Sequence, residues 1–487
     1  MMMMNSMRER SPSFGTGGEE KATASVPNSM INLLNNVVGA GLFSMPWCLK
    51  EATLFTGMAI FIFMAWLNVR SFMLLADSCN MAGVFSYLDL GKSVWGPQFA
   101  LFAQIITCFY TAGSLVSYAV LAGDCLVGDG SGILSVALGE DSFLGRGDMK
   151  AHAIVIYAAG IFLFLPFSLM RNLDGLKYIS YVALCATIFA AFIVVVQVIA
   201  DPKSAKDDDG DIGDDVQWAG FPLGVWRAVP IVNVAFTAHY NGPRFFMELK
   251  ERTLGNFHRV AAGALGGALL IYLLVAVCGY LSFGGATLGD VLENFRASYP
   301  LAIAARAALL AILLACFPKV QHSLRDGVVR LAYNREGAGK EDDGSNIMTA
   351  DKLPTAPYVG ITAALVFAAC TAGAVCSQVE VVLAYKGGIF GSLMVYILPP
   401  LIHTALSIDT RRDGVSRVEA RLLDFQVPTS EMESPTVQDN HKSWQVVLRV
   451  MYSDRRFRSS AFMFTWGVGS GTLAVVITML SQIGVLD

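Results

Sequence analysis

Charged residues are scarce in this chain: Asp, Glu, Lys and Arg make up 15% of its 487 residues, where a soluble domain carries about 25%. That shortage excludes an ordinary soluble enzyme. A basic excess is missing too. The 35 Lys and Arg face 39 Asp and Glu, for a net charge of −4, so no electrostatic footprint for nucleic acid is present. The nine cysteines form no CxxC pair and no metal-ligand spacing; they read as buried free thiols, with only Cys125 near a polar stretch. No HExxH, GxSxG, Walker loop or paired-carboxylate constellation occurs, so no catalytic chemistry, cofactor or bound metal is expected. The chain also lacks any Asn-x-Ser/Thr site and any cleavable leader pattern. Residues 1–26 are polar and rich in Met and Ser, which reads as a disordered tail.

What the chain has in abundance is apolar sequence, with 54% hydrophobic residues and a mean hydropathy of +0.53. Crossing a bilayer takes about 20 mostly apolar residues. The pattern predicts an all-α polytopic membrane protein with eleven transmembrane helices, here called segments one to eleven. They fall near 31–49, 57–79, 98–121, 151–169, 178–199, 227–247, 260–282, 299–320, 356–378, 387–406 and 461–483. The organisation expected is a cytosolic tail over 1–26, a ten-helix core over 27–406, a cytosolic connector over 407–460, and an eleventh helix with an outer C-terminus over 461–487. With the N-terminus in the cytosol, cytosolic stretches carry 23 Lys and Arg against 7 on the other side, a count that puts Lys386 in an outer loop. The positive-inside rule favours that orientation. The acidic run Asp207–Asp211 reads as a solvated outer loop rather than a cation site. Within 407–460, Val415–Leu423 is mildly amphipathic, and a solvated connector is its default reading.

Segments one and six are interrupted. Segment one contains Asn32, Asn35 and Asn36, then Gly39-Ala40-Gly41 at mid-depth. Small-residue helix packing accounts for such a run; so does an unwound stretch lining a buried cavity. Segment six carries His239-Tyr240-Asn241-Gly242-Pro243 near its middle, where Pro lacks an amide proton and Gly relaxes the backbone. Breaks in segments one and six are what a 5+5 inverted repeat, 1–5 and 6–10, produces. Half-helix N-termini offer N–H groups to a carboxylate, and unwound carbonyls accept from an ammonium group. Those two polarities suit a zwitterion such as an amino acid.

At these residues the sequence resembles the amino acid/auxin permease family. The resemblance rests on Asn32-Leu33-x-Asn35-x-Val37-x-Gly39-Ala40-Gly41-Leu42-x-x-x-Pro46, Ser86-Tyr87-x-x-Leu90-Gly91 and Leu165-Pro166-x-Ser168-Leu169-x-Arg171-Asn172-Leu173. Ala235-Phe236-x-x-His239 with Glu248-Leu249-Lys250, and Gly279-Tyr280-Leu281-x-Phe283-Gly284, extend it. It covers about residues 28–405, and it is shared by vacuolar and sodium-coupled neutral amino acid carriers. It implies a secondary carrier for amino acids, with the neutral class expected, working by alternating access. Carried over position by position, backbone amides at Gly39, Ala40, Gly41 and Leu42 hold the substrate carboxylate. Phe236, Thr237, Ala238 and His239 line the opposite side, and Thr111 and Ser114 complete the pocket.

In sodium-coupled relatives, an Asn and carbonyls of segment one, here Asn35 and the Val38 carbonyl, join hydroxyl-bearing residues of segment eight. Here Leu314 and Cys316 stand in those hydroxyl places, and a hard cation prefers oxygen. Proton coupling is therefore expected over sodium coupling. His239 is the candidate proton carrier, because an ionisable residue within the membrane defaults to function; a neutral histidine fixing the helix break is the competing reading. Arg70 and Asp77 either face each other or pack structurally, Arg306 and Lys319 read as interfacial anchors, and His403 as structural. An amino acid sensor signalling through cytosolic segments is the alternative function. The expected partners are the amino acid and the bilayer, with no nucleic acid, and the address is the plasma membrane or a vacuole-like endomembrane.

Overall fold

In the computed structural model, residues 24–128, 132–139, 142–171, 176–200, 215–295, 299–333, 350–376, 378–408 and 444–485 are described. The amphipathic stretch at 415–423 and the acidic run at 207–211 lie outside them. Among the described residues the only extended pairing is the single bridge between Ala24 and Leu249; everything else regular is helical. Eight helices among the described residues are long and apolar enough to cross a membrane: Leu54–Ala82, Pro97–Leu126, Met149–Ser168, Leu254–Ala286, Pro300–Tyr333, Thr355–Val375, Val379–Ile408 and Arg455–Gln482. Large apolar side chains point outward from several of them, Phe162 and Leu270 among them, as lipid-facing positions require. Segment five is the helix Leu176–Ala200.

Segments one and six are each built from two helices around a non-helical centre. Segment one begins at Val26, where the Ser25 hydroxyl accepts from the Asn28 N–H and satisfies one orphan donor of the first turn. The helix ends at Val37. A 3₁₀ turn, Ala40–Ser44, then leads into a second helix, Met45–Ala52, opened by Pro46. Pro at a first helical turn costs nothing, because its missing N–H had no intrahelical partner. Segment six repeats the plan, with a helix Val225–Phe236, a 3₁₀ turn His239–Asn241, and a helix Gly242–Glu248 opened by Pro243.

The second half of segment one packs on segment seven, where a Cβ on Gly279 would stand 2.6 Å from the Pro46 ring. Only glycine permits that approach. Segment ten is helical throughout but widens twice into π turns, Lys386–Gly391 and Leu393–Ile397. The second wide turn opens carbonyls that segment two and the short helix after it satisfy: Tyr87 donates to Met394 (2.7 Å) and Ser71 to Val395. That short helix, Tyr87–Trp95, is capped by Ser86 accepting from the Asp89 N–H.

Several charged residues sit elsewhere than the sequence suggested. Asp77 pairs with His403 at 2.9 Å, tying segment two to segment ten, while Arg70 reaches Ser459; Arg70 and Asp77 do not pair. Arg306 is fully buried and donates to the Leu292 and Phe295 carbonyls at 2.7 and 2.8 Å. It holds the loop between segments seven and eight rather than anchoring at an interface. All nine cysteines are free, but only Cys48, Cys79, Cys108, Cys125 and Cys370 are buried, and Cys185 is exposed. Segment eight continues to Tyr333, well past its apolar stretch.

Candidate functional site

The two breaks meet at one cavity of about 90 Å³. Segment one contributes Asn35, Asn36 and the run Val37–Gly41; segment six contributes Val234, Ala235, Thr237 and Tyr240. Segment three adds Tyr110, Ser114, Ser117, Tyr118 and Leu121. Tyr272 comes from segment seven, Cys316 and Val320 from segment eight, and Leu383 and Lys386 from segment ten.

Among the described residues, the N–H groups of Gly39, Ala40 and Gly41 find no backbone acceptor, while that of Leu42 is taken by the Gly39 carbonyl at 3.1 Å. Three donors at the start of a helical turn make a natural anion cradle. A Cβ on Gly39 or Gly41 would meet nothing within 4 Å, so both glycines border open space rather than a packed neighbour. Across the cavity, Thr237 turns its hydroxyl onto the Asn233 carbonyl at 2.7 Å. The Tyr272 hydroxyl lies 3.0 Å from the Val37 carbonyl and 2.8 Å from that of Ala235. One hydroxyl proton shared between the last carbonyls of two half-helices links the breaks directly.

Of the residues singled out from sequence, Asn35, Val38, Gly39, Ala40, Gly41, Ser114 and Thr237 line this cavity. Leu42, Thr111, Phe236, Ala238 and His239 do not; they are buried behind it. Thr111 bonds back to the Thr107 and Cys108 carbonyls of its own helix, as a hydroxyl within a helix commonly does. His239 is 0% exposed and stacked on Phe72, with ring centroids 4.0 Å apart. The Asn68 backbone lies near the ring, and among the described residues neither ring nitrogen has a partner in full hydrogen-bond geometry.

Sequence reasoning missed Lys386 and the cavity-lining tyrosines Tyr240 and Tyr272. Lys386 lies inside segment ten rather than in an outer loop, and it is buried at 8% exposure. Its stem runs over Gly113, whose Cβ position is 3.2 Å from the lysine Cγ, and its Nζ stands 4.5 Å from the centre of the Tyr110 ring. Among the described residues no carboxylate lies within ion-pair distance of it. A cation–π contact contributes ~2 kcal/mol when desolvated, less than the several kcal/mol that burying an unpaired ion costs. The glycines that follow explain its direction. Gly387 lies against the Pro230 carbonyl and Gly388 against Ala474 and the Gly471 carbonyl, so the wide turn wedges between segments six and eleven. The run Lys-Gly-Gly was the available signal, and starting segment ten at Gly387 left Lys386 in the outer loop.

Among solved structures, the one titled "Inward facing conformation of Mhp1" shares the fold, with a TM-score of 0.56 at 10% identity, covering 96% of this chain and 94% of that one. In sequence, the chain is 24% identical to the Rattus norvegicus protein named "Putative sodium-coupled neutral amino acid transporter 11", covering 83% of this chain and 84% of the relative. It is 26% identical to "Vacuolar amino acid transporter 5" of Schizosaccharomyces pombe, covering 80% and 86%. It is 24% identical to "Solute carrier family 38 member 10" of Mus musculus, spanning 76% of this chain but only 32% of that longer protein. The model described as "Transmembrane amino acid transporter protein" matches residues 22–425, most of the chain and all of the cavity walls, and the chain belongs to that family of multi-pass membrane amino acid transporters.

Proposed function

We propose that the chain carries an amino acid across the membrane by alternating access, as a secondary carrier of eleven segments in which 1–5 and 6–10 form inverted repeats and the N-terminus is cytosolic. The observation that carries this reading is the cavity at the junction of the two breaks, one wall of which presents the N–H groups of Gly39, Ala40 and Gly41, which among the described residues have no backbone acceptor. A substrate carboxylate takes the place of the missing acceptors there. Its ammonium faces the carbonyl ends of the first half-helices, whose dipoles are negative. Both charges of a zwitterion are then met by backbone, which leaves side chains to choose among substrates.

The coupling ion in this reading is the proton. Cys316 lines the cavity and Leu314, half-buried, packs against the hydrophobic core, so these two positions of segment eight bring neither of the two oxygens that a hard cation favours. The relative named as vacuolar supports an endomembrane address. The experiment is uptake of radiolabelled amino acids into proteoliposomes under pH and sodium gradients imposed separately. Accumulation driven by the pH gradient alone is expected. Accumulation that requires sodium overturns the coupling, and saturable binding without uptake under either gradient replaces the carrier with a sensor.

A further inference from the structure

Among the described residues, Lys386 is the one cavity-lining side chain that carries a cation, and nothing in the backbone arrangement of the two breaks accounts for it. It sits on neither broken segment. Its side chain crosses the face of segment three at Gly113, and its Nζ lies over the Tyr110 ring. The turn that presents it is a π turn, Lys386–Gly391, a form that interrupts helices mostly at functional positions. Holding the turn in place requires two glycines packed against the backbones of segments six and eleven. A buried ammonium without a carboxylate is costly unless something supplies the opposite charge. The cavity it borders is where such a charge would arrive.

We propose that Lys386 receives a carboxylate of the substrate in the cavity and, by the same charge, closes the cavity to amino acids with a cationic side chain. This rests on the transport reading above and adds the substrate class to it. A carboxylate has lone pairs to spare for both the segment-one amides and an ammonium, so the group received is either the α-carboxylate or that of an acidic side chain. Like charge in a low-dielectric cavity disfavours a lysine or arginine substrate whichever of the two is read.

The test uses the full chain in proteoliposomes with radiolabelled glutamine, glutamate and lysine, comparing wild type with Lys386→Met and Lys386→Gln. Wild-type protein is expected to take up glutamine or glutamate with lysine a poor competitor. Either variant should raise the KM for the transported substrates at least tenfold and admit lysine. Loss confined to glutamate identifies the side-chain carboxylate, and equal loss for glutamine and glutamate identifies the α-carboxylate; both support the assignment. Unchanged KM values in variants that transport normally overturn it. So does lysine competing in wild type as well as glutamate does, a measurement that stands even if both variants fail to fold. Wild-type protein that takes up none of the three overturns the transport reading itself, a result distinguishable from either.

Discussion

At the scale of the residue, burial separates side chains that can act on a substrate from those that hold the wall behind it. His239 belongs to the second group, since its ring is stacked on Phe72 and does not reach the cavity. His239→Ala is therefore expected to lower the maximal uptake rate while leaving the pH response of transport intact. A flattened pH profile would make His239 the proton carrier after all. Gly41 is the converse case, because a side chain there meets open space. Gly41→Leu should fill the cavity and abolish uptake while the protein still inserts and runs as a monodisperse species. Uptake near wild-type level would remove segment one from the site. Asp290, in the loop between segments seven and eight, titrates outside the spans. Burial pushes its carboxyl up to about 6, against the pull of the Leu292 N–H and Arg306, with Glu380 adding to the rise. The folded chain thus holds this proton more tightly than the unfolded chain, whose Asp titrates near 4. Stability from this group is present below pH ~4 and is lost as pH rises through ~6, by ~3 kcal/mol at most. Thermal midpoints in detergent across that window should fall for wild type, and fall less for Asp290→Asn.

At the scale of the element, the two breaks are coupled by a single hydroxyl. Tyr272→Phe removes the proton that the Val37 and Ala235 carbonyls share. A buried hydrogen bond is worth ~1 kcal/mol net, and leaving its acceptor unpaired costs ~1–3 kcal/mol. The variant is expected to melt a few degrees lower and to transport more slowly; an unchanged melting point and rate would mean the breaks are held by packing alone. The breaks themselves were legible in sequence, because Asn, Gly and Pro in an apolar run announce backbone that cannot stay helical. Tyr272 was not, since nothing in the sequence of a regular helix tells which of its tyrosines reaches two others. Lys386 escaped for a different reason. Hydropathy starts the apolar stretch at Gly387 and leaves the lysine before it in a loop, and a π turn that keeps such a lysine inside the helix leaves no periodic signature. Segment eight outran its expected end because its continuation to Tyr333 is held by Arg325, which donates to the Ser168 carbonyl and the Thr362 hydroxyl, polar contacts that hydropathy counts against a helix in the membrane.

At the scale of the whole molecule, alternating access requires the cavity to open to one face at a time. Cys316 offers an internal reporter, because it lines the cavity while five of the other eight thiols are buried. A variant that keeps Cys316 and replaces the remaining cysteines should react with a charged, membrane-impermeant thiol reagent. Reaction is expected from one face under a given gradient and from the opposite face when the gradient is reversed. Saturating amino acid should slow the reaction in both cases, since substrate held between segments one and six shields the wall that segment eight completes. Simultaneous reaction from both faces would describe a channel rather than a carrier. A rate indifferent to substrate would place the amino acid outside this cavity, and the breaks in segments one and six would then serve packing alone.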